Sequence, residues 1–338
     1  MGVAIVDALG RPLEDLRISV TDRCNFRCVY CMPKEVFGPS FAFLPRSDLL
    51  SFEEITRVAQ LFASLGVKKL RITGGEPLVR KNLEQLIGNL ADIPGIEDIA
   101  MTTNGSLLDR GRAQRLKDAG LKRITISLDS LDNARFQAIN EVGFPVERVL
   151  AAIDNAVAVG LSPVKVNMVV KRGVNEEDIL PMAAYFRGRN VTLRFIEFMD
   201  VGTANGWRLD DVVTADEILS RVGNQWPLEP VPPSKPGEVA RRFRYRDGQG
   251  EIGVINSVSQ PFCHNCSRAR LSPDGQLYLC LFGQQGADVR AWLRDGLSDQ
   301  EIQSRLQAVW SGRRVRYSEE RSQATSKLPR VEMFRIGG

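Results

Sequence analysis

Six cysteines, at positions 24, 28, 31, 263, 266 and 280, fall into two sets of three. The first set, Cys24-x3-Cys28-x2-Cys31, directly follows residues 16–21, which read as a strand. Three thiolates converging where a strand ends form a ligand set with one place missing. A four-iron cluster on three cysteines leaves one iron without a protein ligand, and an open metal position is where chemistry occurs. The second set, Cys263-x2-Cys266-x13-Cys280, supplies three thiolates again. Odd-numbered sets pair poorly as disulfides, and a disulfide framework is unusual in a long chain with no secretion signal. Two metal or cluster sites account for all six. For the second set zinc is the competing reading, with His264 as the fourth ligand. His264 is the only histidine and lies between two ligand cysteines, where joint chelation of one tetrahedral ion is awkward; a solvent-facing loop residue is the ordinary alternative.

The elements that must position these groups alternate between strand and helix signals. A capping box, Ser51-Phe52-Glu53-Glu54, opens a helix through Ile55, Val58, Leu61, Phe62 and Leu65. Residues 69–73 read as a strand that runs into Gly74-Gly75-Glu76-Pro77, and a helix through Leu83, Leu86, Ile87 and Leu90 follows. Further strands are expected at 99–102, 124–128, 164–170 and 191–198. The helices between them run through Leu107–Leu116, from Pro145 through Val149, Ile153 and Val157, and over 179–186. Six strand-helix rounds predict parallel strands with right-handed crossovers, two rounds short of a closed eight-fold barrel. The expected fold is therefore α/β, an incomplete (β/α)6 TIM-type barrel over residues 1–200 with a smaller α+β module over 201–338. In that module Thr214 caps a short helix, and residues 227–236, with five prolines, read as a connector. Strands are expected at 241–246 and 252–258, a hairpin turn at Pro273-Asp274-Gly275, and helices near 289–293 and 301–309.

Composition narrows the function classes. At 43% hydrophobic and 25% charged residues the chain has the make-up of a soluble enzyme, and 45 basic against 41 acidic residues is too balanced for a general nucleic-acid binder. No run of eighteen apolar residues occurs, and residues 1–7 lack the features of a secretion signal, so the expected location is the cytoplasm. In parallel barrels the active site lies at the C-terminal ends of the strands, which groups Cys24–Cys31, Gly74–Pro77, Thr102 and Asn104, Ser127 and Asp129, and Met199 on one face. There a glycine pair would let backbone approach a ligand, and Glu76 could accept from an ammonium group.

Cys24-x3-Cys28-x2-Cys31 with Tyr30 before the last cysteine, followed one round later by Gly74-Gly75-Glu76-Pro77, resembles the radical S-adenosylmethionine superfamily. Within it the match narrows to the GTP 3′,8-cyclase family of molybdenum-cofactor biosynthesis. The resemblance runs through residues 16–33 and 71–78, Thr102-Thr103-Asn104-Gly105, Ser127-Leu128-Asp129, Lys165-Val166-Asn167 and residues 194–199. It continues through Phe262-Cys263-x2-Cys266-x-Arg268-x-Arg270, Cys280-Leu281-Phe282 and the final Gly337-Gly338. It implies a [4Fe–4S] cluster on Cys24, Cys28 and Cys31 whose open iron chelates S-adenosylmethionine, with Tyr30, Gly75, Ser127 and Met199 at the positions that contact this cosubstrate. It implies a second [4Fe–4S] cluster on Cys263, Cys266 and Cys280 that meets the guanine ring. GTP would be bound by Arg17, Arg71, Thr102, Lys165, Arg268, Ala269 and Arg270, since arginine forks match phosphate oxygens and lysine acts as a point charge. Gly337 and Gly338 would reach into the cavity and be needed for turnover. The implied partners are GTP, a low-potential electron donor and a downstream cyclic pyranopterin monophosphate synthase that receives the product, with neither nucleic acid nor membrane; a homodimer is admitted. The other readings are a peptide-modifying radical enzyme with an auxiliary cluster, and a non-enzymatic zinc-binding module.

Overall fold

The computed structural model describes residues 5–234, 237–322 and 328–337. Its centre is one sheet of twelve strands. Six strands run parallel in sequence order: β1 (Asp15–Ser19), β2 (Lys69–Thr73), β3 (Asp98–Thr103), β4 (Arg123–Ser127), β5 (Val164–Val170) and β6 (Val191–Glu197). Helices α1 (Phe52–Ser64), α2 (Leu83–Ala91), α3 (Arg110–Asp118), α4 (Asn133–Asn140), α5 (Val146–Ala158) and α6 (Ile179–Phe186) form the crossovers. The Ser51 capping box on α1 is present in full, and α1 buries Ile55, Val58, Leu61 and Phe62. Alternate strand residues such as Leu16, Ile18, Leu70, Ile72, Ile124, Ile126, Val164 and Val166 pack outward on these helices, fully or almost fully buried. Period-two alternation then turns the remaining strand residues toward the barrel interior.

Later residues extend this run on both sides. After α7 (Ala215–Gln225), whose Thr214 capping box is intact, come β7 (Leu228–Val231), β8 (Arg241–Tyr245) and β9 (Glu251–Ile255). β9 pairs parallel with β6, and β8 and β7 continue outward antiparallel. On the opposite edge β10 (Arg268–Leu271) pairs parallel with β1, followed by the antiparallel β11 (Gln276–Tyr278) and the short β12 (Ala287–Asp288). Eight parallel strands therefore line the interior in the order β10-β1-β2-β3-β4-β5-β6-β9, and the sheet stays open. The partial barrel is as expected. The strand segments of β9 and β10 were expected, but not their parallel pairing with β6 and β1, because neither belongs to a strand-helix round. Two local readings are corrected. Residues 228–231 form an edge strand, with Pro230 opposite Phe243, rather than a connector; an edge tolerates a residue that has no N–H to donate. Helix α4 was not foreseen, since its sequence NARFQAIN has only a weak apolar stripe.

The chain closes with α8 (Val289–Arg294), α9 (Asp299–Ser311), α10 (Tyr317–Glu320) and α11 (Met333–Ile336). Among the described residues no helix is long and apolar enough to cross a membrane.

Candidate functional site

Cys24, Cys28 and Cys31 lie in the loop that leaves β1, at the C-terminal end of the strands, and all six cysteines are free thiols. The loop is pinned from three directions. Tyr30 Oη donates to Asp129 Oδ2 at 2.6 Å, and the other Asp129 oxygen accepts from Val169 N at 2.9 Å, so the loop is tied to the ends of β4 and β5. Burial pushes the Asp129 carboxyl up to about 6 against the pull of these two bonds. From β3, Asn104 Nδ2 points at Cys24 Sγ at 3.8 Å. From β2, the Gly-Gly-Glu-Pro turn is zipped to the loop backbone by Gly75 N to the Thr21 carbonyl and Glu76 N to the Arg23 carbonyl, both 2.8 Å.

This last contact gives the glycine pair a packing role. A Cβ on Gly75 would stand 2.4 Å from the Arg23 carbonyl oxygen, and one on Gly74 2.8 Å from that of Thr21. The turn packs against the cysteine loop itself. Glu76, buried, accepts from Leu78 N, Thr103 Oγ1 and Asn104 N at 2.7–3.0 Å, which braces β2 against β3.

The donor chemistry of both cysteine sets fits an iron–sulfur cluster. Cys28 is pushed well above its ordinary range by burial, then by the charges of Asp129, Cys24 and Cys31, and Cys24 rises to about 12 through burial and Glu76. Thiolates that repel one another in a buried pocket need a polycation among them to be stable. In the second set Cys280 is raised by burial and by Cys266 and Cys263. Burial also opposes ionisation of Cys266, but Arg268 and Arg313 overcome it and bring the thiol down to about 6. Arg313 Nη1 donates to the Cys266 carbonyl at 2.6 Å and Arg11 Nη1 to that of Cys263 at 2.9 Å, and both guanidiniums share buried Asp7. A buried ion triad thus braces the Cys263–Cys266 turn, a feature invisible in sequence because Arg313 is some 300 positions from Asp7 and Arg11. His264 points elsewhere: its side chain is 62% exposed, with Nδ1 3.6 Å from Glu319.

The strand register places the two sets at opposite mouths of the barrel interior. β10 runs parallel to β1 with Arg268 level with Asp15, so Cys266 lies at the N-terminal end of the strands and Cys24 at the C-terminal end. The five residues of β1 put about 13 Å of strand between them. That stretch is cationic. Arg17 is level with Arg71 on one side and Arg270 on the other. Strand parity adds Arg268, Lys69, Arg123, Lys165 and Arg194 to the same inner face, against Asp15, Asp98 and, on β9, Glu251. Crowding shows in the titration. Lys165 falls to about 7 and Lys69 to about 8, each through burial first; the neighbouring arginines press on both, while Asp15 partly offsets the fall of Lys69. Arg194 falls to about 9 through burial, Arg71 and Arg123. Asp15 drops to about 2, since four cations outweigh its burial. The Nε atoms of Arg17 and Arg71 are buried with no hydrogen-bond partner among the described residues. Arg71 Nη1 reaches Thr102 Oγ1 at 3.2 Å, so Thr102 belongs to this face.

Of the expected contacts, Ser127 and Met199 lie half-buried near the C-terminal mouth, Ser127 ending β4 and Met199 just beyond β6. Ala269 faces the other way, into the apolar core, and only its backbone lies with the arginines. The tail does enter the barrel. Phe334 packs on Phe37 next to Met32, just past Cys31, with ring centroids 5.0 Å apart. Arg270 donates to the Gly337 carbonyl, and Gly337 has φ +69° with no room for a Cβ against Thr73. Gly338 lies outside the described residues. Lys69, Arg123 and Arg194 were missed as lumen residues. The signal was available, because each sits at even spacing from, or in register with, a residue already singled out.

Residues 18–186 match the family model described as Radical SAM superfamily, and residues 191–319 the one described as Molybdenum Cofactor Synthesis C. The GTP 3′,8-cyclase of Acidothermus cellulolyticus is 54% identical over 322 residues, covering 94% of this chain and 89% of that relative. The GTP 3′,8-cyclase of Staphylococcus haemolyticus is 52% identical over the full length of both. Among solved structures, Streptococcus suis SuiB bound to precursor peptide SuiA superposes with a TM-score of 0.61 at 14% identity, over 88% of this chain and 64% of that one; this is a likeness of fold.

Proposed function

The chain belongs to the GTP 3′,8-cyclase family of the radical S-adenosylmethionine superfamily, and we propose from that membership how its own residues carry out the reaction. It converts GTP to (8S)-3′,8-cyclo-7,8-dihydroguanosine 5′-triphosphate, the first step of molybdenum-cofactor biosynthesis. Cys24, Cys28 and Cys31 hold the [4Fe–4S] cluster. That cluster, with S-adenosylmethionine, would supply the radical chemistry by which C3′ of GTP becomes bonded to C8 of guanine.

The protein's part is binding, orientation and exclusion of water. Tyr30, fixed by Asp129, and the Gly74–Gly75 turn set the loop on which the cosubstrate sits, with Ser127 and Met199 at its rim. Arg17, Arg71, Lys165, Arg268 and Arg270 bind the triphosphate, joined by Lys69, Arg123 and Arg194. The observation that carries this is eight buried or half-buried cations on one inner face against three carboxylates, a field suited to a polyanion. Cys263, Cys266 and Cys280 hold a second [4Fe–4S] cluster at the other mouth, where the guanine base would lie once the phosphates engage the arginines between. Gly337 closes the C-terminal mouth beside Thr73, where a side chain would collide. The electron donor, the synthase that takes the product and a homodimer complete the proposed partners.

The test is anaerobic, chemically reduced protein with S-adenosylmethionine and each nucleoside triphosphate in turn. 5′-Deoxyadenosine formed with GTP and not with the others is the expected result; equal formation with all four would refute the substrate assignment.

A further inference from the structure

Beside the cysteine loop, on the outer wall of the barrel, the N-terminus of α2, the turn after β3, α3 and α5 surround a groove of about 990 Å³ that no step of the cyclisation uses. Its rim carries Lys81, Arg112, Arg115 and Arg148, with Arg110 exposed next to it. The two carboxylates present are already engaged. Glu84 is shared by Arg112 at 3.3 Å and Arg115 at 4.0 Å, and Asp109 caps α3 by accepting from Arg112 N at 2.7 Å. Arg115 still leaves 62% of its side chain to solvent, and Lys81 and Arg148 are exposed. The rim is therefore a surface of unbalanced positive charge.

The groove is also the solvent side of the first cysteine set. Ser106 lines it, and Ser106 Oγ accepts from Asn25 Nδ2 at 2.8 Å while donating to Asn104 Oδ1 at 2.6 Å. Asn104 Nδ2 donates to Asn25 Oδ1 at 3.0 Å and points at Cys24 Sγ at 3.8 Å. A buried residue of the groove lining is thus two hydrogen bonds from Cys24 Sγ. We propose that this groove docks an acidic, low-potential one-electron carrier protein, and that the Ser106–Asn104–Cys24 chain is the short path from its redox centre to the cluster.

This rests on the reading that Cys24, Cys28 and Cys31 hold the cluster. One electron leaves the carrier, which is oxidised by one equivalent, and the cluster gains it; no bond forms and no proton moves. That electron is the one consumed when the sulfonium C–S bond of S-adenosylmethionine is cleaved. Opposite charge on rim and carrier steers the encounter, an effect carried by exposed side chains and weakened by salt.

The test compares the holoenzyme with a Lys81→Glu, Arg115→Glu, Arg148→Glu variant, none of whose changed residues touches the cluster, cosubstrate or barrel interior. Flavodoxin hydroquinone is the probe, its oxidation followed by flavin absorbance, with binding of oxidised flavodoxin measured by titration. At low ionic strength the variant should oxidise it about tenfold or more slowly and bind it correspondingly less well. Wild-type rates should fall with added salt. Dithionite-driven 5′-deoxyadenosine formation should be the same in both proteins. Equal flavodoxin rates and affinities would overturn the proposal, and so would equal slowing with both reductants. A duplex oligonucleotide that binds the groove, with flavodoxin indifferent to the charge reversals, would reassign the surface to nucleic acid. Failure of the underlying reading shows separately, as a Cys24→Ala protein with undiminished iron.

Discussion

Lys165 gives the sharpest check on the triphosphate assignment. It lies on β5 between Thr125 and Thr192, facing the barrel interior, and burial together with Arg194, Arg123, Arg71 and Lys69 lowers it from 10.5 to about 7. A triphosphate beside it restores the charged form, so above pH 7 binding takes up a proton. Treating the bound pKa as above 9, the cost of charging Lys165 reduces GTP affinity by a factor of about five between pH 7 and 8 and about fiftyfold between 7 and 9. Lys69, at about 8, steepens the upper part, and the two titrate as a set. For folding the sign reverses. The folded pKa lies below the unfolded one, so the penalty of charging Lys165 is fully present below about pH 7 and is relieved as pH rises toward 10.5. GTP affinity should fall over pH 7–9 while the contribution of this group to stability without ligand rises. Calorimetry on unreduced holoenzyme, without S-adenosylmethionine and in buffers of different ionisation enthalpy, measures both affinity and proton uptake. Lys165→Arg keeps the charge at every pH and should bind GTP with a much flatter profile. A wild-type affinity independent of pH, or an equal slope in Lys165→Arg, would refute the reasoning.

The other predictions concern the frame around the site. Cys24→Ala and Cys266→Ala should each lose about half of some eight irons per chain; the first should lose all cleavage of S-adenosylmethionine, and the second should keep it and lose GTP turnover, read by iron analysis and 5′-deoxyadenosine. Gly75→Ala forces a methyl onto the Arg23 carbonyl, so it should cost about 1–3 kcal/mol in denaturant unfolding and weaken cosubstrate binding more than GTP binding. Arg313→Met removes the brace on the Cys266 carbonyl and breaks a buried pair with Asp7, at about 3–5 kcal/mol. Its specific signature is loss of the second cluster's signal by electron paramagnetic resonance with the first retained, which general destabilisation would not produce.

What could be read from sequence divides by the range of the interaction behind it. The six strand-helix rounds, the capping boxes at Ser51 and Thr214 and the Pro273–Gly275 hairpin are set by neighbours within a few positions, and the chain has them. The packing of Gly75 depends on the loop some fifty residues earlier and that of Glu76 on Thr103 and Asn104, so their residue types marked the place while these contacts were not legible. Lys69, Arg123 and Arg194 follow from strand parity and from pairing among the six central strands, so the residues already chosen pointed to them. Sequence likewise separated the cysteines into two sets without saying where each lies. The parallel pairing of β10 with β1 supplies that, because it turns two cysteine sets and a list of arginines into an order along one axis: thiols, cations, thiols. In GTP the ribose joins the base to a terminal triphosphate, so a base held at one mouth leaves the sugar facing the other while the phosphates reach the cationic wall. Exchanging Arg17 or Arg270 should therefore disturb the register of GTP, and with it the site of hydrogen abstraction, more than total affinity alone.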